Sequence, residues 1–378
     1  MWLASVALTR CDAQVAAEYG LTLAQKAALL AAFFPAFIPS QLLASFLIQR
    51  YGAKVVTTAQ NAGLALSLLA CPAAMAAAGH LGLAACFVSL GVFQSPLFPA
   101  LSVLKRSWTA GAAPAHRAMW LRVMSAGQYV ANFLAALVTP LLARRFGWQA
   151  VPYTFGGVMA ALTVVWHCCA SEAPEADDDA VQPQPKSGGQ TPRGGPQAAG
   201  MGVSWAIFRV RGVQACLLSH ISHNTMLYTL MQWAPTYYIE CFGIPRAAIG
   251  RWLAVPATVN IWGGFLIGAL EARCLQTGMP QLRVRRLFTA IGTGASAACL
   301  LLFTLAPTAV AAVVAQCGVV LSGCYSGSGF SSNYYEVGGR NTAMLSGVGN
   351  VFASVPGLVL PAIGVALKRR FDSWAPIF

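Results

Sequence analysis

His220 and His223 stand three residues apart in one apolar stretch, with Asn224 next in line and Tyr228 four residues further on. At helical spacing the two imidazoles share one side of a helix, and so do Asn224 and Tyr228. A protonated imidazole holds an anion and the neutral ring releases it, so the pair could couple solute binding to pH near about 6 to 7. Equally, the histidines could only donate hydrogen bonds to neighbouring helices. Gln128 and Asn132, one turn apart, could reach a common cavity, but no charge accompanies them and packing is the stronger reading. Gln94 can hydrogen-bond a solute or a neighbouring helix, yet it cannot carry a proton.

Two further groups stand near predicted helix ends. Asn333 and Glu336, with Arg340 following, could form a gate or a solvated helix end. In Arg50-Tyr51-Gly52-Ala53-Lys54, Gly52 permits a tight turn, and Arg50 and Lys54 could meet helix-end carbonyls. Ordinary basic residues at a membrane boundary are the plainer alternative. There is no phosphate-binding glycine loop, no His-Glu zinc pattern and no Ser/His/Asp set, so neither an enzyme nor a metal or cofactor site is expected. The eleven cysteines show no CxxC pair and read as small buried hydrophobes.

The elements that must position these groups are set by composition. Only 9% of residues are charged, 57% are hydrophobic and the mean hydropathy is +0.61. A bilayer-spanning helix needs about 20 mostly apolar residues and satisfies its own backbone hydrogen bonds. The chain therefore reads as an all-α, polytopic integral membrane protein. Met1 to Leu8 is too short to span. Later spans are expected at about 23–48, 54–79, 81–104, 118–143, 148–170, 212–236, 247–272, 286–306, 308–332 and 341–367. Around Asp177-Asp178-Asp179 the composition turns acidic and rich in Gly and Pro, which predicts a flexible linker. The expected organisation is a helical bundle over 1–170, a linker over 171–204 and a second bundle over 205–378.

The formal charge is +13, but the basic residues sit at helix ends without an aromatic-basic cluster, which argues for a lipid bilayer as partner and against nucleic acid. Fourteen of them fall in loops on the linker's side and nine on the other, placing the linker in the cytoplasm or its topological equivalent. Arg122 alone is left inside a span, in its first turns, and charges within spans are otherwise almost absent. Gly147-Trp148-Gln149 and Ser373-Trp374-Ala375 occupy matching places, a local echo of duplication. The start lacks a charged leader with an apolar core and cleavage site.

Several short strings add up in order and spacing: the Arg50–Lys54 string, Phe98-Pro99-Ala100, Gly147-Trp148-Gln149, Tyr228 with Trp233-Ala234-Pro235-Thr236-Tyr237, Ser328-Gly329-Phe330-Ser331-Ser332-Asn333, and Ser346-Gly347-Val348-Gly349-Asn350 with Pro356-Gly357. Together they resemble the anion:cation symporter branch of the major facilitator superfamily, over nearly the whole chain except the linker. The resemblance implies two six-helix bundles rocking around a central site, with helix 1 truncated and helix 12 missing.

It further implies a secondary transporter of a small organic or inorganic anion, coupled to an ion (H+ or Na+) or to the membrane potential. A plastid, vesicular or plasma membrane would each suit the family. The family's helix 4 Arg and Glu fall at Phe87 and Gln94, the Asp of its loop motif at Gln49, and that motif's second-half counterpart at Ala272, beside Glu271. These departures leave open a second reading, a transport-inactive relative acting as a membrane partner or sensor, or an incomplete gene model.

Overall fold

The computed structural model describes residues 19–20, 25, 29, 32–172, 208–209, 211–245 and 248–378. The short first apolar segment, the opening turns of the second and most of the linker lie outside the described residues. Those described form eleven α-helices, with no strand among them: α1 (Phe33–Tyr51), α2 (Ala53–Gln94), α3 (Leu97–Trp108), α4 (Pro114–Phe146), α5 (Ala150–Cys169), α6 (Arg211–Phe242), α7 (Ile249–Gln276), α8 (Gln281–Thr304), α9 (Ala309–Ser328), α10 (Phe330–Val337) and α11 (Thr342–Phe371). Each of the ten long expected spans corresponds to helix.

The spans expected at 54–79 and 81–104 meet in α2, which folds back on itself at Gly79 (φ 58°, ψ −143°). Only glycine enters that backbone region freely. Ser67 then bonds Ser89 across the hairpin at 2.6 Å, and a Cβ on Gly63 would overlap Phe93.

Among the described residues, seven helical stretches are long and apolar enough to cross a membrane, the run from Ala53 to Trp108 counting as one. The chain is an integral, multi-pass membrane protein. Helix α6 is not among the seven, because it carries His220, His223, Asn224 and Gln232. Its buried positions include Val213, Cys216, His220 and Asn224, whereas Leu218 is 69% exposed. In a bilayer that polarity is the sensible one: apolar side chains face lipid and polar ones face other helices.

One core joins the α2 hairpin to α5 through Leu64, Leu68, Phe87, Leu90, Trp148 and Phe155. A second joins α6, α8 and α9 through Tyr237, Tyr238, Phe303 and Val319, closed by Trp374. Between these cores, α4 packs on α7 and α1 on α11. Trp148 and Trp374, each buried, follow a residue of positive φ, Gly147 at 83° and, two positions before Trp374, Asp372 at 45°. The two places differ in backbone: Gly147 has ψ 166°, whereas Asp372 is left-handed with ψ 30°.

Candidate functional site

The ends of α1, α3, α5, α7 and α10, and the starts of α2, α4, α6, α8 and α11, lie on the side that carries the linker. There the two cores are stitched together in layers. Nearest mid-membrane, the rings of Phe34 and Tyr228 meet edge-on at 6.0 Å. Asn224 Nδ2 donates to the Ala353 carbonyl at 3.0 Å, tying α6 to α11. Next, Asn350 Nδ2 donates to Gln41 Oε1 at 2.6 Å between α11 and α1. Gly347 lies against Ser45, and Gly349 against Tyr334, with no room for a Cβ at either.

The third layer is aromatic. His220 Nδ1 shares a hydrogen bond of 2.9 Å with Tyr334 Oη. Its ring lies 5.2 Å from Phe98 of α3 and 5.3 Å from Phe330 of α10. His220 therefore belongs to a plug between the two cores. His223 packs 5.9 Å from Phe330. We predict that His220→Phe keeps the plug and lowers stability by roughly 1–3 kcal/mol, since the buried Tyr334 hydroxyl loses its imidazole partner. In the His220→Phe, Tyr334→Phe double variant much of that loss should return in thermal melts, because no hydroxyl is left behind.

The fourth layer is ionic; the sequence pointed to Glu336 and Arg122, but not to their joining Glu271 and Arg285. Arg122, Glu271 and Arg285 are 5%, 1% and 4% exposed. Arg285 pairs with Glu271, and its Nη2 lies 2.7 Å from Glu336 Oε1. Arg122 Nη2 lies 3.7 Å from Glu271 Oε2, donates to Ser328 Oγ, and its Nη1 donates to the Cys324 carbonyl at 3.4 Å. Arg122 reaches from α4 into a slot between α7 and α9 whose walls are Gly268 and Gly327; a Cβ on either would overlap the arginine. Gln281 Nε2 donates to Glu336 at 2.7 Å. At the rim, Arg106 donates to the Gly339 carbonyl.

This layer corrects the expectation that charges are almost absent from the spans. Arg285 and Lys105, which hydropathy places outside the spans, lie within helices, since α8 begins at Gln281 and α3 runs to Trp108. Hydropathy cuts a span at its first charge, whereas a helix end continues through charges that find partners. The signal was present in one case: Arg122 is the single charge between 118 and 143, and a charge at that depth is a functional hypothesis by default.

The expected site residues divide as follows. Glu336 meets Arg285 and Gln281, and Asn333 is half-buried on the same short helix. The side chains of Arg340 and Asn132 lie outside the described residues. Gln94 is buried at the end of α2, and Gln128 is exposed. Gly52 makes the expected tight turn, with φ 85°. The carboxylate of Glu172 sits over it and accepts from the Lys54 backbone N–H at 2.9 Å, at the positive end of α2. Arg50 lies against the neighbouring Tyr51 ring. Phe87 packs within the first core.

Three of the strings noted in the sequence, those around Phe98, Ser328 and Gly347, meet in this seam together with Tyr228, whereas Trp148 lies in the first core. The model of the Major Facilitator Superfamily matches residues 4–361. Among curated proteins, the chain is 26% identical over 373 residues to the chloroplastic ascorbate transporter of Arabidopsis thaliana, covering 96% of this chain and 66% of that one. It is 25% identical over 376 residues to the chloroplastic probable anion transporter 4 of Oryza sativa subsp. japonica, covering 96% and 61%. It is 24% identical over 381 residues to the voltage-gated purine nucleotide uniporter of Homo sapiens, covering 100% and 84%. The chain thus spans a little under two thirds of the length of the first two.

Among solved structures, the E. coli fucose:proton symporter superposes with a TM-score of 0.70 at 12% identity, covering 100% of this chain and 92% of that one. That likeness speaks for the fold, an all-helical arrangement of two bundles. The relatives match the anion:cation symporter branch suggested by the strings, and with a family model running over most of its residues, this chain belongs to the Major Facilitator Superfamily.

Proposed function

We propose that the chain is a secondary transporter of a small organic or inorganic anion, working by alternating access between a bundle at 1–170 and one at 205–378, with 171–204 as a cytoplasmic linker. The observation that carries this reading is the layered seam. Residues from both cores close one side of the molecule through a few separable contacts, in a chain whose relatives are anion transporters. The conformation described is then the one closed toward the cytoplasm. The path runs past Tyr228, Asn224, His223, Gln94, Gln128 and Asn132, with His220 in the plug. Arg50, Gly52, Lys54, Asn333, Glu336 and Arg340 belong to the gate at the linker side. The driving force is the membrane potential or a coupling ion, H+ or Na+.

Uptake into proteoliposomes checks this. Orthophosphate, glutamate, ascorbate and ATP are offered under an imposed potential, with and without a pH or Na+ gradient. Saturable, gradient-dependent uptake of at least one is expected. Flux no greater than in protein-free vesicles for all four would remove the anion-carrier reading.

A further inference from the structure

Residues 19–171 contain neither Asp nor Glu, yet include Arg50, Lys54, Lys105, Arg106, Arg117, Arg122, Arg144 and Arg145. Of these, Arg122 reaches into the seam from α4, Arg106 reaches its rim from α3, and Lys105 of α3 lies against α4 beside Arg122. Lys105 Nζ donates to Ser125 Oγ at 2.8 Å, three residues on from Arg122 along α4, so the two cations share one face of that helix. No carboxylate lies within ion-pair distance of Lys105 among the described residues.

Arg122 is only loosely neutralised. Arg285 engages both Glu271 and Glu336 closely, whereas Arg122 reaches Glu271 at 3.7 Å and otherwise closes on the neutral oxygens of Ser328 and Cys324. All of these partners belong to α7, α9 and α10. When α4 parts from those helices, Glu271 and Glu336 depart together with Arg285. Arg122 and Lys105 remain on α4 and α3, and neither of these helices carries an acidic residue. A guanidinium in a low-dielectric cleft without a counter-ion is costly, and its planar fork suits a carboxylate or phosphate.

We propose that Arg122, with Lys105 beside it, binds the anionic solute when the linker side opens, exchanging Glu271 and Ser328 for the solute's negative charge. This rests on the anion-transport reading above and deepens it. It assigns the solute's counter-charge to α4, where Phe87 and Gln94 on α2 supply none. In the closed conformation Glu271 and Ser328 occupy the same guanidinium, so closing the seam and releasing the solute become one event.

The test uses the full chain, in detergent and in liposomes, with orthophosphate, ascorbate and ATP as the probes. Melting temperature against probe concentration gives binding, and uptake gives flux. Arg122→Gln should weaken binding roughly tenfold to a hundredfold, and Arg122→Lys should recover part of it. Glu271→Gln should strengthen binding, because it removes the competitor. Ser328→Ala should act in the same direction more weakly, and it serves if the Glu271 variant does not fold. A latch that never touches solute would shift Arg122→Gln and Glu271→Gln the same way, and that result overturns the proposal. If the native chain moves a probe and Arg122→Gln binds it as tightly as native, the proposal fails while the transport reading stands. If neither native nor Glu271→Gln protein binds or moves any probe, both fail.

Discussion

Gly347→Ala should open the linker-side seam, and Ser45→Ala should close it again. A Cβ at position 347 would overlap Ser45 Oγ, and that hydroxyl is held by its bond to the Gln41 carbonyl at 2.8 Å. Both residues are fully buried, 0% exposed for Ser45, so the clash cannot be relieved into solvent. Overpacking of this kind costs about 1–3 kcal/mol. On the alternating-access reading proposed above, the cost falls on the closed conformation alone, since α1 and α11 part when that side opens. About tenfold in population follows from each 1.4 kcal/mol. Hydrogen exchange reports this without added labels: amides over 339–350 should exchange roughly tenfold to a hundredfold faster in Gly347→Ala and return toward the native rate in the double variant. Unchanged exchange would mean that α1 and α11 do not form the closing contact.

Arg285→Met should be the most damaging single change to the ionic layer. Arg285 bridges Glu271 and Glu336, and its Nη1 also donates to the Ser328 carbonyl. Without it, Glu271, 1% exposed, keeps only Arg122 at 3.7 Å. Breaking one side of a buried pair costs about 3–5 kcal/mol, because the uncompensated charge stays behind. Thermal melting of the detergent-solubilised chain should show a marked loss, or the variant should fail to accumulate in membranes. Replacing Glu271 and Glu336 by Gln in the Arg285→Met background should restore much of the stability. If Arg285→Met melts as the native protein does, the layer contributes little and its charges are hydrated.

Much of the architecture was legible because the bilayer imposes a simple rule. Runs of about 20 apolar residues must be helical when no water is present to satisfy the backbone. Every long span expected from that rule is helical over most of its described residues, and the turn at Gly79 falls at the end of the first of the two spans it joins. The strings around Phe98, Ser328 and Gly347 carried the family resemblance and meet in the seam, where close packing of helices demands small residues and aromatic wedges at fixed positions. What failed was the assignment of charge. Lys105, Glu271 and Arg285 lie near span ends, where one-dimensional hydropathy treats a cation or carboxylate as a boundary mark.

By itself, then, the order of residues determined a helical membrane protein, the number and placement of its long described spans, and its membership of a transporter superfamily. Which side is sealed, that His220 plugs the seam, and that Arg122 is threaded between Gly268 and Gly327 toward Glu271 were decided only by tertiary structure. The reason is physical. Spans follow from transfer energies that each segment carries alone, whereas an ion pair between residues 122 and 271 exists only once two remote helices stand within a few ångströms of each other.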